Sequence, residues 1–312
     1  MQRNSASPRV SVVIPAFEEE KFIAETLRSI LIQTFTDYEL IVVDNGSRDR
    51  TGELARTYGA TVIVEPHKGV GVARQRGFLI ARGEIIACTD ADTVVPPTWL
   101  ATIVQEFDDD RDLVAFGGLA ELRSGPPTAK NAVRFLFRPY AHFDRIVSGG
   151  WNLLGCNMAV KRDAFLGVGG FATDLAIGED AYISKKLRRV GTVRMNCGFI
   201  VSISGRRFRS GFLRGLMAYF PYWLGRVLLR KDLFQRLPDI RDEYVAHDKH
   251  LPRGVTLRSA LLLGSACLSA YIAVQIWSRK TRWLAKSHYF HGGSAPKRFV
   301  AIHSLIRMIH CS

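Results

Sequence analysis

The chain has 312 residues, 47% hydrophobic and 23% charged: ordinary globular composition, long enough for one large α/β domain with a tail or for two modest domains. Lys and Arg number 43 against 29 Asp and Glu, and the net charge of +14 points to an anionic partner: nucleic acid, an acidic membrane surface or a phosphorylated substrate. The five cysteines (Cys88, Cys156, Cys197, Cys267 and Cys311) form no CxxC pair, which argues against a zinc site or disulfide framework and for a reducing, cytosolic compartment.

The opening MQRNSASPRV lacks the apolar core of a signal peptide, so the amino-terminal region is expected to stay in the cytoplasm. RVSVVIP (9–15) is a β-branched run ended by Pro15 and reads as a buried strand. EEKFIAETLRSILIQT then places Ile23, Leu27, Ile30 and Leu31 at helical spacing. YELIVVDNGS (38–47) is a second strand. Asp49 is placed to cap a short helix that Gly59 closes. ATVIVEP (60–66) is a third strand, GVGVARQRGFLIARG a helix ended by Gly83, and EIIACTDAD (84–92) a fourth strand. Pro96 and Pro97 suit the first turn of the helix PTWLATIVQEF.

Alternation of strands and helices with short connections predicts an α/β fold: an open, mostly parallel twisted sheet with helices on both faces. Ligands bind such sheets outside the carboxyl ends of the strands, where Pro15, Ala16, Asp44, Asn45, Asp90 and Asp92 fall. After about residue 113 the rhythm breaks. LVAFGGLAEL reads as a strand, TAKNAVRFLFRPYAHFDRI as a helix and VSGGWNLLGCNMAVKR as a loop. GEDAYISKKLRRVG (178–191) is an amphipathic helix ended by Gly191, and TVRMNCGFIVSIS (192–204) a last strand.

The basic excess is local. Residues 185–231 contain no acidic residue and mix arginines with aromatics and leucines, a pattern that suits a membrane surface better than a duplex; a solvated basic helix is the plainer alternative. Residues 259–277 carry no charge and sit at the lower length limit of a spanning helix, with a buried or interfacial helix as the competing reading. Residues 281–312 form a basic tail without pattern, expected to be disordered. The expected organisation is an α/β domain over 9–205, split into 9–120 and 121–205, then a helical, membrane-associated or spanning region over 206–280 and the tail.

Asp90-x-Asp92 at a strand end can aim carboxylates at one Mg²⁺ or Mn²⁺, which prefer oxygen ligands shared with substrate phosphates. The plainer reading is a polar turn. Asp44 can accept a hydrogen bond from an imide-like base edge or form an Asx-turn with Asn45. Glu179 and Asp180 are either a catalytic pair or first-turn acids favoured by the helix dipole. Trp151, Gly150 and Asn157 form either an acceptor platform or core and turn. Arg206 and Arg207 can meet a diphosphate, meet lipid phosphate, or stand exposed.

In order along the chain, SVVIPAFEEEKFIAETLRSILIQT, ELIVVDNGSRDRT, GVGVARQRGFLIARGEIIACTDAD and GED resemble glycosyltransferase family 2, the inverting nucleotide-sugar transferases of the GT-A fold. The likeness covers about 9–205. It implies that Pro15, Ala16 and Glu18 line the nucleotide pocket, that Asp44 reads the base, and that Asn45 and Ser47 shape its loop. Lys68 through Arg74 would close over the nucleotide, with Arg74 near the donor. Asp90 and Asp92 would be the DxD element holding metal and diphosphate, Asp92 as main ligand and Asp90 nearer the ribose and sugar. Asp180 would be the catalytic base, with Glu179 beside it. One departure is Phe17-Glu18-Glu19 where the family commonly has Asn before the Glu of its first motif.

The expected reaction is transfer of one sugar, since no QxxRW motif of processive synthases is present. The donor is a nucleotide sugar (UDP-sugar favoured, GDP-sugar the alternative), and the acceptor a lipid-linked or envelope glycan at the cytoplasmic membrane. An inactive nucleotide-binding scaffold and a nucleotidyltransferase on a related sheet are the competing readings. A nucleic-acid partner is disfavoured because no recognition motif accompanies the local charge.

Overall fold

The computed structural model describes residues 7–206, except 176. Arg207, the stretch 259–277 and the tail 281–312 lie outside the described residues. Among those described, no helix is long and apolar enough to cross a membrane.

The elements follow the expected alternation. β1 (Val10–Ala16), α1 (Ile23–Leu31), β2 (Tyr38–Asp44), α2 (Thr51–Thr57), β3 (Thr61–Val64), α3 (Val70–Ile80) and β4 (Ile85–Cys88) form the first half. β5 (Thr93–Val94), α4 (Trp99–Asp109), β6 (Leu113–Leu122), α5 (Pro127–Ser148), β7 (Met158–Lys161), α6 (Arg162–Gly167), α7 (Glu179–Leu187) and β8 (Thr192–Ile203) complete it. They build one eight-stranded sheet in the order β3-β2-β1-β4-β7-β6-β8-β5. The β1–β2, β1–β4, β2–β3 and β6–β8 pairings are parallel, and β7 and β5 insert antiparallel.

Every residue of β1 is buried, as a β-branched strand between two helical layers must be. Val12, Ile14, Leu27, Ile30, Trp99 and Ile103 pack in one core; Val13, Val43, Phe78, Phe165 and Phe171 pack in the other. α3 lies close on the sheet because a Cβ on Gly77 would come within 2.9 Å of Val43.

Several local expectations are corrected. α3 stops at Ile80, and Gly83 serves a different purpose: a Cβ there would meet the Ser11 amide nitrogen at 2.5 Å, so glycine admits β1 alongside. The strand expected over 84–92 ends at Cys88. Residues 90–93 then turn, with the Thr93 amide donating to the Asp90 carbonyl at 3.1 Å. Pro96 and Pro97 precede α4 rather than begin it, Thr98 being the N-cap. The glycine-rich stretch expected as loop contains β7, which bridges β4 and β6 and so joins the two halves of the sheet. Asp49 stands one residue before the N-cap of α2, Arg50, rather than at it; its carboxylate accepts from the Thr51 amide at 3.0 Å, and Gly59 follows α2 at φ 79° as expected.

Candidate active site

The carboxyl ends of β1, β2 and β4 and the amino end of α7 surround one set of polar side chains. At the end of β2, Asp44 accepts from the Ser47 amide at 2.9 Å, closing the Asx-turn. Its other oxygen lies over Gly52, where a Cβ would stand at 2.6 Å. The Ser47 hydroxyl in turn accepts from the Glu18 amide at 2.9 Å. Asn45 donates to the Glu65 and His67 carbonyls (2.9 and 2.6 Å) and accepts from the Gly69 amide at 2.8 Å, stitching the loop before α3 to the end of β2. The Lys68 ammonium donates to the Asn45 and Gly46 carbonyls, each at 2.9 Å, and stands 3.5 Å from the Phe17 ring centroid. Pro15 and Ala16 are buried, and the Ala16 carbonyl accepts from the Asn45 amide at 2.8 Å.

Glu18, the acid expected in the pocket, has φ 52°, a conformation costly for a residue with Cβ. Its neighbour Glu19 is the buried one. Glu19 holds Arg206 in a two-pronged pair at 2.6 and 2.7 Å, and the same guanidinium lies 3.3 Å from Asp92. The sequence carries no sign of this, because three consecutive acids offer no periodic cue to which one points inward.

A second arginine organises the centre. Arg74, on α3, donates to Asp90 at 2.6 Å and, through its other terminal nitrogen, to Glu179 at the start of α7. Arg74 and Glu179 are 5% and 6% exposed. Burial alone would lower the Arg74 pKa, but Asp90 and Glu179 hold it well above its ordinary value, so it stays charged. Burial pushes Glu179 up to about 7 against the pull of Arg74, with Asp180 adding to the rise. Glycine at 155 is required because a Cβ would overlap the Arg74 guanidinium. The Gly155 amide donates to Asp180 at 3.2 Å, and the other Asp180 oxygen accepts from the Ala181 amide at 2.7 Å. Gly178, at φ 86°, turns the chain into α7 so that Glu179 and Asp180 both fall in its first turn. Gly155, whose role depends on a neighbour eighty residues away in sequence, carried no signal of its own.

Not every nominated residue joins this cluster. Asn157 is 0% exposed, accepts from the Trp99 indole at 2.9 Å and donates to the Leu119 and Phe199 carbonyls at 3.0 Å. Its amide is used up in holding β6, β8 and α4 together, which corrects its expected role at a sugar hydroxyl. Trp151 is 8% exposed, packed edge-on to His142 and under Arg145, so its ring is not an open stacking platform. Gly150, at φ 153°, makes room for the Arg188 side chain rather than for an acceptor.

Asp90 and Asp92 are 37% and 14% exposed, so the motif opens toward solvent at Asp90. Among the described residues, no group of three or more His, Cys, Asp or Glu makes a metal cage of protein ligands alone. Two carboxylates on one tight turn are nonetheless residues that could hold a hard cation whose shell is completed by substrate oxygens. The neighbouring thiols of Cys88 and Cys156 stay protonated, because burial pushes Cys88 up to about 12 and Cys156 well above the ordinary range.

The model of glycosyl transferase family 2 matches residues 11–167. Among curated relatives, the glucosyl-dolichyl phosphate glucuronosyltransferase of Haloferax volcanii is 26% identical over 190 residues, 56% of this chain and 59% of the relative. The glycosyltransferase AglE of the same organism is 30% identical over 60% of this chain and 64% of its own length. Alignment to the first three relatives spans 59%, 54% and 47% of their lengths, so the chain covers about half of each. Among solved structures, the mannosyltransferase PcManGT of Pyrobaculum calidifontis, in complex with GDP-Man and Mn²⁺, superposes with TM-score 0.53 at 20% identity. That match covers 98% of this chain and 82% of that one. Glucosyl-3-phosphoglycerate synthase of Mycobacterium tuberculosis, in complex with Mn²⁺, UDP and glucosyl-3-phosphoglycerate, gives 0.52 at 22% identity over 75% of this chain and 82% of that one. These likenesses establish the α/β fold read from the strand and helix alternation. With the family model running from β1 through α6, across the turn that carries Asp90 and Asp92, the chain belongs to glycosyl transferase family 2.

Proposed function

We propose that this protein is an inverting glycosyltransferase that moves one sugar from a nucleoside-diphosphate sugar to an acceptor hydroxyl. The observation that carries the reading is the linkage of Asp180 to the Asp90-x-Asp92 turn. Asp180 is fixed by the Gly155 amide, and Gly155 lies against the arginine that holds Asp90. A base for the acceptor and a binding element for the leaving group thus share one wall.

In the proposed reaction the Asp180 carboxylate takes the proton of the acceptor hydroxyl. The acceptor oxygen bonds to the anomeric carbon from the face opposite the diphosphate, the bond to the phosphate oxygen breaks, and the nucleoside diphosphate departs with its electron pair. A Mg²⁺ or Mn²⁺ ion bound at Asp92 and Asp90 would supply stabilisation of the charge that develops on the leaving diphosphate. Arg206, held by Glu19 beside Asp92, adds a fixed positive charge at the same place. Asp44, Asn45, Ser47, Lys68 and the β1 end at Pro15 and Ala16 form the base and ribose side, with residues 9–120 as the donor half and 121–205 as the acceptor half. A UDP-sugar is the favoured donor and a GDP-sugar the alternative; the presence of UDP and GDP-Man with Mn²⁺ in the two solved transferases supports both.

The acceptor is proposed to be a lipid-linked or envelope glycan, with the catalytic domain at the cytoplasmic membrane. The acid-free stretch 185–231 and the dolichyl-linked chemistry named for one relative support this part. The decisive assay incubates the protein with a panel of UDP- and GDP-sugars and Mn²⁺ and identifies the products. A nucleoside diphosphate and an inverted anomeric centre by NMR are expected; released pyrophosphate would indicate nucleotidyl transfer, and a retained anomer would rule out the inverting route. Flotation with anionic liposomes tests the membrane part, which is lost if all protein stays at the bottom at low salt.

A further inference from the structure

Glu179 stands next to the proposed base, yet its surroundings are those of a different kind of residue. It is buried, and its carboxylate meets Arg74. Arg74 is itself buried and reaches Asp90 with its second terminal nitrogen at 2.6 Å. A planar guanidinium held at two points by carboxylates cannot rotate without breaking one of the contacts. The far side of the fork is closed by Gly155, whose missing Cβ leaves just the space the guanidinium occupies. On the near side, Gly71 of α3 brings the helix against α7: a Cβ there would lie 3.4 Å from the Glu179 Cβ. Asp180, one residue on, points elsewhere, to the Gly155 and Ala181 amides.

From this geometry we infer that Glu179 is a positioning residue: through Arg74 it sets the orientation of the Asp90 carboxylate and ties the amino end of α7 to the nucleotide-binding turn. The inference rests on the donor-site reading above. It assigns Glu179 no proton transfer and makes Arg74 the shared joint between the two halves of the site. A carboxylate that must meet a cation and a diphosphate works only if its rotamer is held, and partners one shell out commonly account for roughly 10–100-fold in metal affinity. Without Glu179, Arg74 would keep its charge but lose one of its two anchors, and Asp90 would lose its fixed partner.

The test is isothermal titration of UDP and GDP into the full chain at a fixed Mn²⁺ concentration, without acceptor or turnover. Glu179→Gln is expected to weaken Mn²⁺-dependent nucleotide binding by roughly 10–100-fold. Asp180→Asn, measured alongside, is expected to bind as wild type does. Arg74→Lys keeps the charge but not the two-pronged geometry and should lose binding to a similar degree. The double variant Glu179→Gln/Arg74→Lys should be no worse than the weaker single, because both act through one joint. If Glu179→Gln fails to fold, as judged by circular dichroism, Arg74→Lys carries the test. Wild-type binding in a folded Glu179→Gln protein, in a folded Arg74→Lys protein if that variant alone folds, or losses that simply add in the double, would overturn the inference. Wild-type protein that binds neither nucleotide with Mn²⁺ would instead sink the donor-site reading on which it rests.

Discussion

The half of the sheet from β1 to β4 and the half built from β6, β7 and β8 use their polar side chains differently. In the first, strands run parallel and their carboxyl ends deliver Asp44, Asn45 and the Asp90–Asp92 turn to a common edge. In the second, an antiparallel strand interrupts the pattern, and Asn157 and Trp151 are absorbed into the packing that holds the halves together. The contrast teaches that a polar or aromatic residue at a regular strand end is a good functional candidate, whereas one beside an irregular junction often serves the junction. Glu179 and Asp180 are the exceptions in the second half, because they lie in the first turn of a helix instead of joining a strand.

The largest test of this contrast is Asp180→Asn. Loss of a general base typically costs about 10²–10⁴-fold, and kcat should fall on that scale while nucleotide binding by calorimetry is unchanged. Near-wild-type turnover would remove the catalytic base assigned to the second half. Next, Trp151→Ala should act as a core deletion, costing about 3–5 kcal/mol in urea unfolding. A large rise in acceptor KM with little loss of stability would restore the acceptor platform and blur the difference between the halves.

A gentler probe is pH. Burial raises the Glu179 pKa to about 7 from the ordinary 4.5, so the folded protein binds more protons than the unfolded chain between those values. Its contribution to stability is therefore fully present below pH 4.5 and is lost as pH rises through about 7. The wild-type Tm should fall across this window relative to that of Glu179→Gln, whose side chain does not titrate. Parallel Tm curves for the two proteins would show that Glu179 does not titrate there. The smallest effect is expected at Glu18, which occupies φ 52° in the donor half. Asn tolerates that region better than Glu, so Glu18→Asn should raise stability by about 0.5–1 kcal/mol in urea. A loss of stability would mean that Glu18 contacts outweigh its backbone cost.

Legibility differed between the halves for the same physical reason. The run VSVVIPA is apolar and β-branched on both faces, so its sequence dictates a buried parallel strand and places the residues that follow it at the sheet edge. Asp44 and Asp90 could be located from such runs alone. β7 has no legible signature because four residues, Met158–Lys161, carry too little periodicity to stand out from a glycine-rich loop. Glu19 and Arg206 are separated by nearly the whole described chain, so their pairing has no local signature.

The sequence by itself determined the alternating α/β architecture, the carboxylate turn and the acidic start of α7, because hydrophobic periodicity and turn chemistry are local properties. Only the tertiary structure decided which carboxylate faces which arginine. Glu19 rather than Glu18 holds Arg206, Asn157 is consumed by three partners, and Arg74 joins Asp90 to Glu179. Burial of a charge is stable only beside its counter-charge, and the counter-charges here come from elements far apart in the chain.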